Sequence, residues 1–393
     1  MTTGRASVLA ALFLGALALR PQLVGIGPLF PEVQRDLATS HAVVGLLGTI
    51  PVLCMGLFAP PAAYLMGWIG SRTAVAGCLG LIALFGTARA LAPSAALVIA
   101  LTVPVGIGMG VAGALLPVAV KERFSDRPAF ATGVYTSGIQ LGSALSAATA
   151  VPLAGAAGGW RGPLLVFSAV TGLLVAAWLG LTRRQQRERG SPRRPLRLPW
   201  GSGVAWLLAL LFGLMGVVYY GINSWLPDSY VERGWSEGSA GALLAVLNIA
   251  GLPASLLVPW LADRHGSRRT YLVALAAFLA VGLAALVLVP AGGYAWAALV
   301  GLAIGALFPL VLTLPLDVGR NAAEVGAIAG LMLGAGYVLA ALAPFALGAA
   351  RDATGSFTTT LWTIVGAALV LLVVALPLTG ERLSPAAKAG FVD

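Results

Sequence analysis

Charge is scarce in this sequence. Only 10% of its 393 residues are Asp, Glu, Lys or Arg and 59% are hydrophobic, against roughly 25% charged in soluble domains. Such a chain cannot cover itself with a water-facing surface, which excludes a soluble globular protein. Two cysteines, Cys54 and Cys78, are too few for a disulfide framework, and both fall inside apolar runs. The two histidines, His41 and His265, fall in loops. No cluster of metal ligands, no nucleophile beside a base, no long soluble domain and no Walker motif is present. An enzyme, a metal site, a bound cofactor and ATP as the driving force are all set aside on those grounds.

What the sequence does have is length in its apolar runs. About 20 such residues cross a bilayer core. Twelve runs near that length cover 6–29, 42–66, 73–91, 95–120, 129–154, 162–181, 203–226, 239–261, 270–289, 294–316, 325–349 and 357–378. Arg5 followed by an apolar stretch with Ala16-Leu17-Ala18 imitates a secretory signal, but eleven further spans argue for a retained first helix. The net charge of +10 needs no nucleic acid. If both termini are cytoplasmic, 18 of the 24 basic residues fall in inside segments, seven of them arginines between 183 and 197. Only Arg35, Arg89, Arg161, Arg233 and Arg351 fall outside, so the positive-inside rule sets a multi-pass orientation in the cell (plasma or inner) membrane. The one remaining basic residue is Arg20.

The chain repeats itself. A shift of 196 residues aligns, without a gap, Gly25 with Gly221, Pro31 with Pro227, Glu32 with Asp228, Ser40 with Ser236, Gly45 with Gly241, Gly70 with Gly266 and Arg72 with Arg268. The expected architecture is all-α: a polytopic membrane protein with twelve transmembrane helices in two pseudo-symmetric six-helix bundles, over 1–182 and 201–393. The basic stretch RRQQRERGSPRRPLRLPW, 183–200, is the cytoplasmic linker between them. A parallel duplication of this kind is the major facilitator plan, with the solute held near the midplane where the halves meet and, by analogy, a monomer in the bilayer.

The loop WLADRHGSRR, 260–269, resembles the signature of that superfamily, with Asp263, Gly266 and Arg268 at its spacing. A tight glycine turn at the membrane surface with a carboxylate near a helix end can pair with arginines and latch one conformation. The first half reads MGWIGSRT there, with Gly67 in place of the acid, so one latch is weakened or missing. The stretches LALRPQLVGIGPLFPEVQ, GTIPVLCMGLFAP and GIGMGVAGALLPVAVKERFSDR leading into ATGVYTSGIQLGSAL resemble the cyanate and 2-nitroimidazole transporter (CynX/NimT) family within it. The resemblance implies a small-solute permease and leaves the solute open.

Arg20 gives that solute a sign. An arginine at a helix centre costs about 2.5 to 3.5 kcal/mol to insert, so it faces a wet cavity with a partner or a task. All fourteen acidic residues map to loops or helix ends, which leaves no carboxylate in a span to pair with it. Its planar fork of donors suits a carboxylate or a linear anion. The competing reading is that Arg20 caps carbonyls freed by Pro21. If Arg20, Val24 and Gly27 share a helix face, their images at offset 196 are Gly216, Tyr220 and Asn223. In the fifth and eleventh helices the offset is nearer 197, which pairs Gln140 with Tyr337. Asn248 and Tyr135 complete a polar lining, each equally readable as a helix-to-helix hydrogen bond. Tyr219, Trp225 and Phe308 are ambiguous between a site wall, an interface belt and packing.

The favoured expectation is a carrier of a small organic or inorganic anion working by alternating access. The alternative is an exporter of neutral nitroheteroaromatic or other drug-like compounds. Uniport, exchange and anion/proton symport all stay open, because no Asp, Glu or His is read inside a span.

Overall fold

The computed structural model describes residues 3–124, 128–183, 198–265, 268–320 and 322–378. Among them every regular element is helical, as a chain in lipid requires, because no water is there to satisfy free backbone groups. Twelve helical segments are long and apolar enough to cross a membrane. The first is assembled from α1 (Thr3–Leu17), α2 (Pro21–Val24) and α3 (Phe30–Leu37). One helix makes each of the others: α4 (His41–Ile69), α5 (Ser71–Ala90), α6 (Ala95–Arg123), α7 (Pro128–Ala157), α8 (Arg161–Leu181), α9 (Gly203–Glu232), α10 (Glu237–His265), α11 (Arg268–Leu288), α12 (Gly293–Val318), α13 (Ala322–Thr354) and α14 (Phe357–Ala375). With an even number of crossings the described chain starts and finishes on one face, the terminal face; the opposite one is the distal face.

The first span differs from the single helix expected over 6–29. It runs on to Leu37 and is broken twice. Pro21 has no N–H to give the carbonyl four residues back and disfavours a helical residue before it. Accordingly α1 closes with Leu19 N–H on Ala16 O at 3.2 Å, and Pro21 opens α2 at a first-turn position. Pro28 sits in a 3-10 turn over Gly27–Leu29, and Pro31 restarts the chain as α3. The duplicate span α9 carries Val217 and Ser224 where the first has Pro21 and Pro28, and it is one unbroken helix of 30 residues. Only Pro227, the image of Pro31, remains inside it.

Small residues let the helices close on one another. Gly106 and Gly110 of α6 lie against α4, where a Cβ on Gly110 would stand 2.6 Å from Cys54 O. Gly301 and Gly305 of α12 lie the same way against Leu247 and Gly251 of α10. The repeat is also visible where the halves touch. Gly27 packs directly on the Asn223 backbone, its own image at offset 196. Gly45 packs on Pro344, while its image Gly241 packs on Ala147, the residue 197 before Pro344. These contacts join α4 to α13 and α7 to α10 across the middle of the molecule. Residues 184–197 of the expected linker lie outside the described residues.

Candidate functional site

Arg20 stands in the gap between α1 and α2 with 5% of its surface exposed. Its Nη1 donates to Tyr220 Oη at 3.1 Å, and its guanidinium carbon lies 6.0 Å and 5.9 Å from the Tyr219 and Tyr220 ring centres. A guanidinium has five N–H donors. Among the described residues that one hydroxyl takes one of them, and no carboxylate lies within ion-pair reach. Tyr220 Oη in turn reaches Met55 Sδ at 3.9 Å. Arg20 and Tyr220, 200 positions apart in sequence, thus meet across the two halves.

A second polar group adjoins the first. Tyr219 stacks edge-on against Tyr220 with ring centres 5.1 Å apart, and its hydroxyl donates to Asn248 Oδ1 at 3.3 Å and lies 3.5 Å from Ser143 Oγ. Asn248 Nδ2 donates to Asn223 Oδ1 at 3.1 Å, and Asn223 Nδ2 donates to Tyr219 O at 2.8 Å. Asn223 and Asn248 therefore spend most of their capacity on each other, on Tyr219 and on Leu244 O, and Tyr219, ambiguous in the sequence, is the residue that ties both to the arginine. The other expected lining residues make no hydrogen bond to this cluster. Gln140 Nε2 lies where a Cβ on Gly251 would be 2.8 Å away. Tyr337 packs beside Gly56 and edge-on to Phe212 at 4.9 Å. Tyr135 and Tyr220 share one buried apolar cluster with Leu19 and Leu23, the neighbours of Arg20, and Tyr219 and Tyr337 pack against it.

Sequence reading missed a second buried arginine. Arg89, counted among the basic residues that fall outside, is fully buried near the end of α5. Its Nη2 donates to Gln22 O at 2.9 Å and to Gln22 Oε1 at 2.7 Å, and its Nη1 to Thr102 Oγ1 at 3.4 Å. Gln22, equally buried, donates through Nε2 to Leu164 O at 3.1 Å and Ser168 Oγ at 2.8 Å. The cap on carbonyls freed by the helix break is therefore Arg89. The available signal was position: the run 73–91 already contained it.

The acidic census also needs correction. Asp228 is only 7% exposed within α9, and its Oδ2 has no hydrogen-bond partner. It belongs to the distal half, where the two halves are sealed. Asp352 of α13 accepts from the His41 and Ala42 backbone N–H groups at 3.1 and 2.8 Å, capping the start of α4, and lies 2.7 Å from His41 Nδ1. The His41 ring also meets Trp225 and Phe357, at 5.8 and 5.5 Å between centres. Trp225 donates to Pro344 O at 2.8 Å, Thr49 accepts from Phe345 N–H at 3.1 Å, and Arg35 pairs with Glu237 at 2.9 Å. Within each half a matching pair anchors the last span: Asp36 with Trp160 and Arg161, and its image Glu232 with Arg351 and the Phe357 N–H. On the terminal face α10 is helical through Asp263, but the side chains of Asp263 and Arg268 and the whole of Gly266 lie outside the described residues.

Comparison with known proteins adds to this geometry. The model of the Major Facilitator Superfamily matches residues 12–344. The cyanate transport protein CynX of Escherichia coli (strain K12) is 31% identical over 89% of this chain and 91% of its own. The 2-nitroimidazole transporter of the same organism is 32% identical over 95% of this chain and 94% of its own. Among solved structures, a bacterial homolog of the human lysosomal transporter Spinster superposes with a TM-score of 0.77 at 16% identity, covering 98% of each chain.

Proposed function

Because the chain belongs to the Major Facilitator Superfamily, and within it to the cyanate and 2-nitroimidazole transporter family, it is a secondary transporter of small solutes, and we propose that its solute is a small anion bound by Arg20. The observation that carries this reading is the unspent guanidinium: one neutral hydroxyl on Arg20 and no carboxylate among the described residues. A hydrogen bond to a charged group contributes about 1.5 to 3 kcal/mol, so the single Tyr220 contact leaves most of the donor capacity for a ligand. Arg89 already caps the broken helix, which weakens the competing structural role for Arg20. Cyanate-like ions and carboxylates fit the planar fork, and the name of one relative points the same way.

The solute moves by alternating access. Residues 1–182 and 201–393 act as the two halves, joined through 183–200, and the distal seal parts as the terminal side closes. The arginine-rich segments put the terminal face, and both chain ends, in the cytoplasm of a cell whose plasma or inner membrane holds the protein as a monomer. Tyr220 orients Arg20, while Tyr135, Gln140, Asn223, Asn248 and Tyr337 line the path. Asp263, Gly266 and Arg268 form the latch on the cytoplasmic side.

Uptake of labelled cyanate and acetate into proteoliposomes, with binding to the purified protein, tests the reading. Arg20→Ala is expected to weaken anion binding at least about 30-fold, or 2 kcal/mol, with folding retained. Arg20→Lys keeps the charge, loses the fork and falls nearly as far. Anion affinity at the wild-type level in folded Arg20→Ala overturns the proposal. The second reading, export of neutral nitroheteroaromatics, is favoured by the other relative and by the four tyrosines around the site. It requires that 2-nitroimidazole bind equally well with and without Arg20.

A further inference from the structure

The break in the first span leaves α2 a single turn long, and such a piece has little hold of its own. Its closing hydrogen bonds are Leu23 N–H and Val24 N–H on Arg20 O, and Gly25 N–H on Pro21 O. The next carbonyl in line, Gln22 O, receives no backbone N–H, since the chain turns at Gly25 and Ile26 into the 3-10 segment. In an apolar surrounding a carbonyl left without a donor is costly. Arg89 Nη2 fills that place, and the same nitrogen holds the Gln22 side-chain oxygen. The Gln22 amide then fastens to α8 at Leu164 O and Ser168 Oγ. Phe167 of α8 fills the space beside Gly25, where a Cβ would lie 2.5 Å from the ring. Arg89, Gln22 and Ser168 are all at least nine-tenths buried.

The two sides of this segment therefore have different jobs. Gln22 and Gly25 are held by α5 and α8 of the first half, whereas Arg20 and Gly27 touch Tyr220 and Asn223 of the second. Arg20 stands two residues from the clamped one. We infer that Arg89 is a positioning residue for the anion site: it substitutes for the backbone hydrogen bond lost at Gln22 and so fixes the turn that presents Arg20 to α9. This rests on the anion reading of Arg20. Arg89 acts through that turn, without touching the solute, and brings a second buried cation with no carboxylate partner among the described residues to the same break.

Arg89→Gln in the full-length protein tests the inference on two independent readouts. Amide hydrogen exchange over residues 19–29 is expected to quicken at least tenfold, with exchange in α10 to α12 unchanged within twofold. Affinity for potassium cyanate or sodium acetate is expected to fall about tenfold, yet by less than twofold when Arg20 is already Ala, because a residue acting through Arg20 has nothing left to position. Arg89→Lys should recover part of both. Unchanged exchange at 19–29, equal acceleration everywhere, or losses that add to those of Arg20→Ala overturn the inference. If Arg20→Ala itself leaves anion affinity untouched, the anion reading has failed, and the exchange measurement alone decides the clamp. Should Arg89→Gln not fold, Ser168→Ala loosens the Gln22 amide more gently. About threefold faster exchange at 19–29 is then expected, and no acceleration there overturns the clamp.

Discussion

Adding one methyl group at Gly45 is expected to pry open the distal seal. A Cβ there would lie 2.5 Å from Pro344 O, 2.9 Å from Pro344 C and 3.1 Å from Phe345 Cα. All three atoms are backbone of α13, so no rotamer change relieves the contact. Ordinary contact begins near 3.4 Å, so α4 and α13 must separate by about 0.9 Å, the difference from 2.5 Å. The neighbouring contacts resist that shift, since Gly48 abuts the Pro344 ring and Gly348 abuts the His41 carbonyl. Overpacking of this kind costs about 1 to 3 kcal/mol. Applied to the sealed state alone, it moves the balance between sealed and open distal faces about 5- to 150-fold. Ser224, 6% exposed and facing Gly48, is a suitable reporter. In Ser224→Cys protein, with buried Cys54 and Cys78 as baseline, a membrane-impermeant maleimide should label position 224 at least fivefold faster once Gly45→Ala is added. Gly77→Ala, where a Cβ meets nothing within 4 Å, is the control and should leave labelling unchanged. Equal rates with and without Gly45→Ala would refute the claim that this contact holds the distal face shut.

Three further outcomes are expected. Tyr220→Phe removes the hydrogen bond to Arg20 and keeps the ring, so anion affinity in equilibrium binding should drop about 3- to 10-fold, on the order of 1 kcal/mol. Asp352→Ala strips the cap from α4, a loss of about 1 kcal/mol, and should raise maleimide labelling at Ser224→Cys about fivefold, with Asp352→Asn intermediate. Asn248→Leu fills the same space and leaves Tyr219 Oη and Asn223 Oδ1 without their partner. It is expected to destabilise the protein by about 1 to 3 kcal/mol, visible as a lower melting temperature in detergent.

The span count and the duplication were legible because each follows from a periodicity, and the offset brings in Tyr220 as the image of Val24, although its bond to Arg20 follows from no offset. Twenty-residue runs are dictated by bilayer thickness, and a fixed offset of 196 carries a residue of one half to its partner in the other. The same rule placed Gly27 opposite Asn223, where the backbones touch. What the sequence concealed depends on irregular backbone and on contacts with no offset. Pro21, Pro28 and Pro31 signalled a loosened helix, but the length of each piece depends on which carbonyls find other donors. Arg89 and Gln22, 67 positions apart, are not images of each other, and nothing in spacing links them. Asp228 looked like a helix-end acid because it lies four residues from the end of α9; its burial is set by tertiary packing that position along the helix does not reveal. The network of Tyr219, Asn223 and Asn248 was visible only as separate polar residues, since its order is set by rotamers.

The unequal first and seventh spans have a consequence for how cargo travels. Arg20 has no counterpart, for its image is Gly216, whose side-chain space is taken by Ala340 at 2.5 Å. On the anion reading, the solute's charge is therefore borne by one half only, through a turn fastened to α5 and α8. The opposite half offers neutral groups, the Tyr220 hydroxyl foremost. On the same reading, an anion rides with the first half as the two rock, while the second slides past and trades one weak hydroxyl contact for another. Among the described residues no ion pair spans the moving boundary at the site, and a pair that does join the halves, Arg35 with Glu237, lies at the distal face.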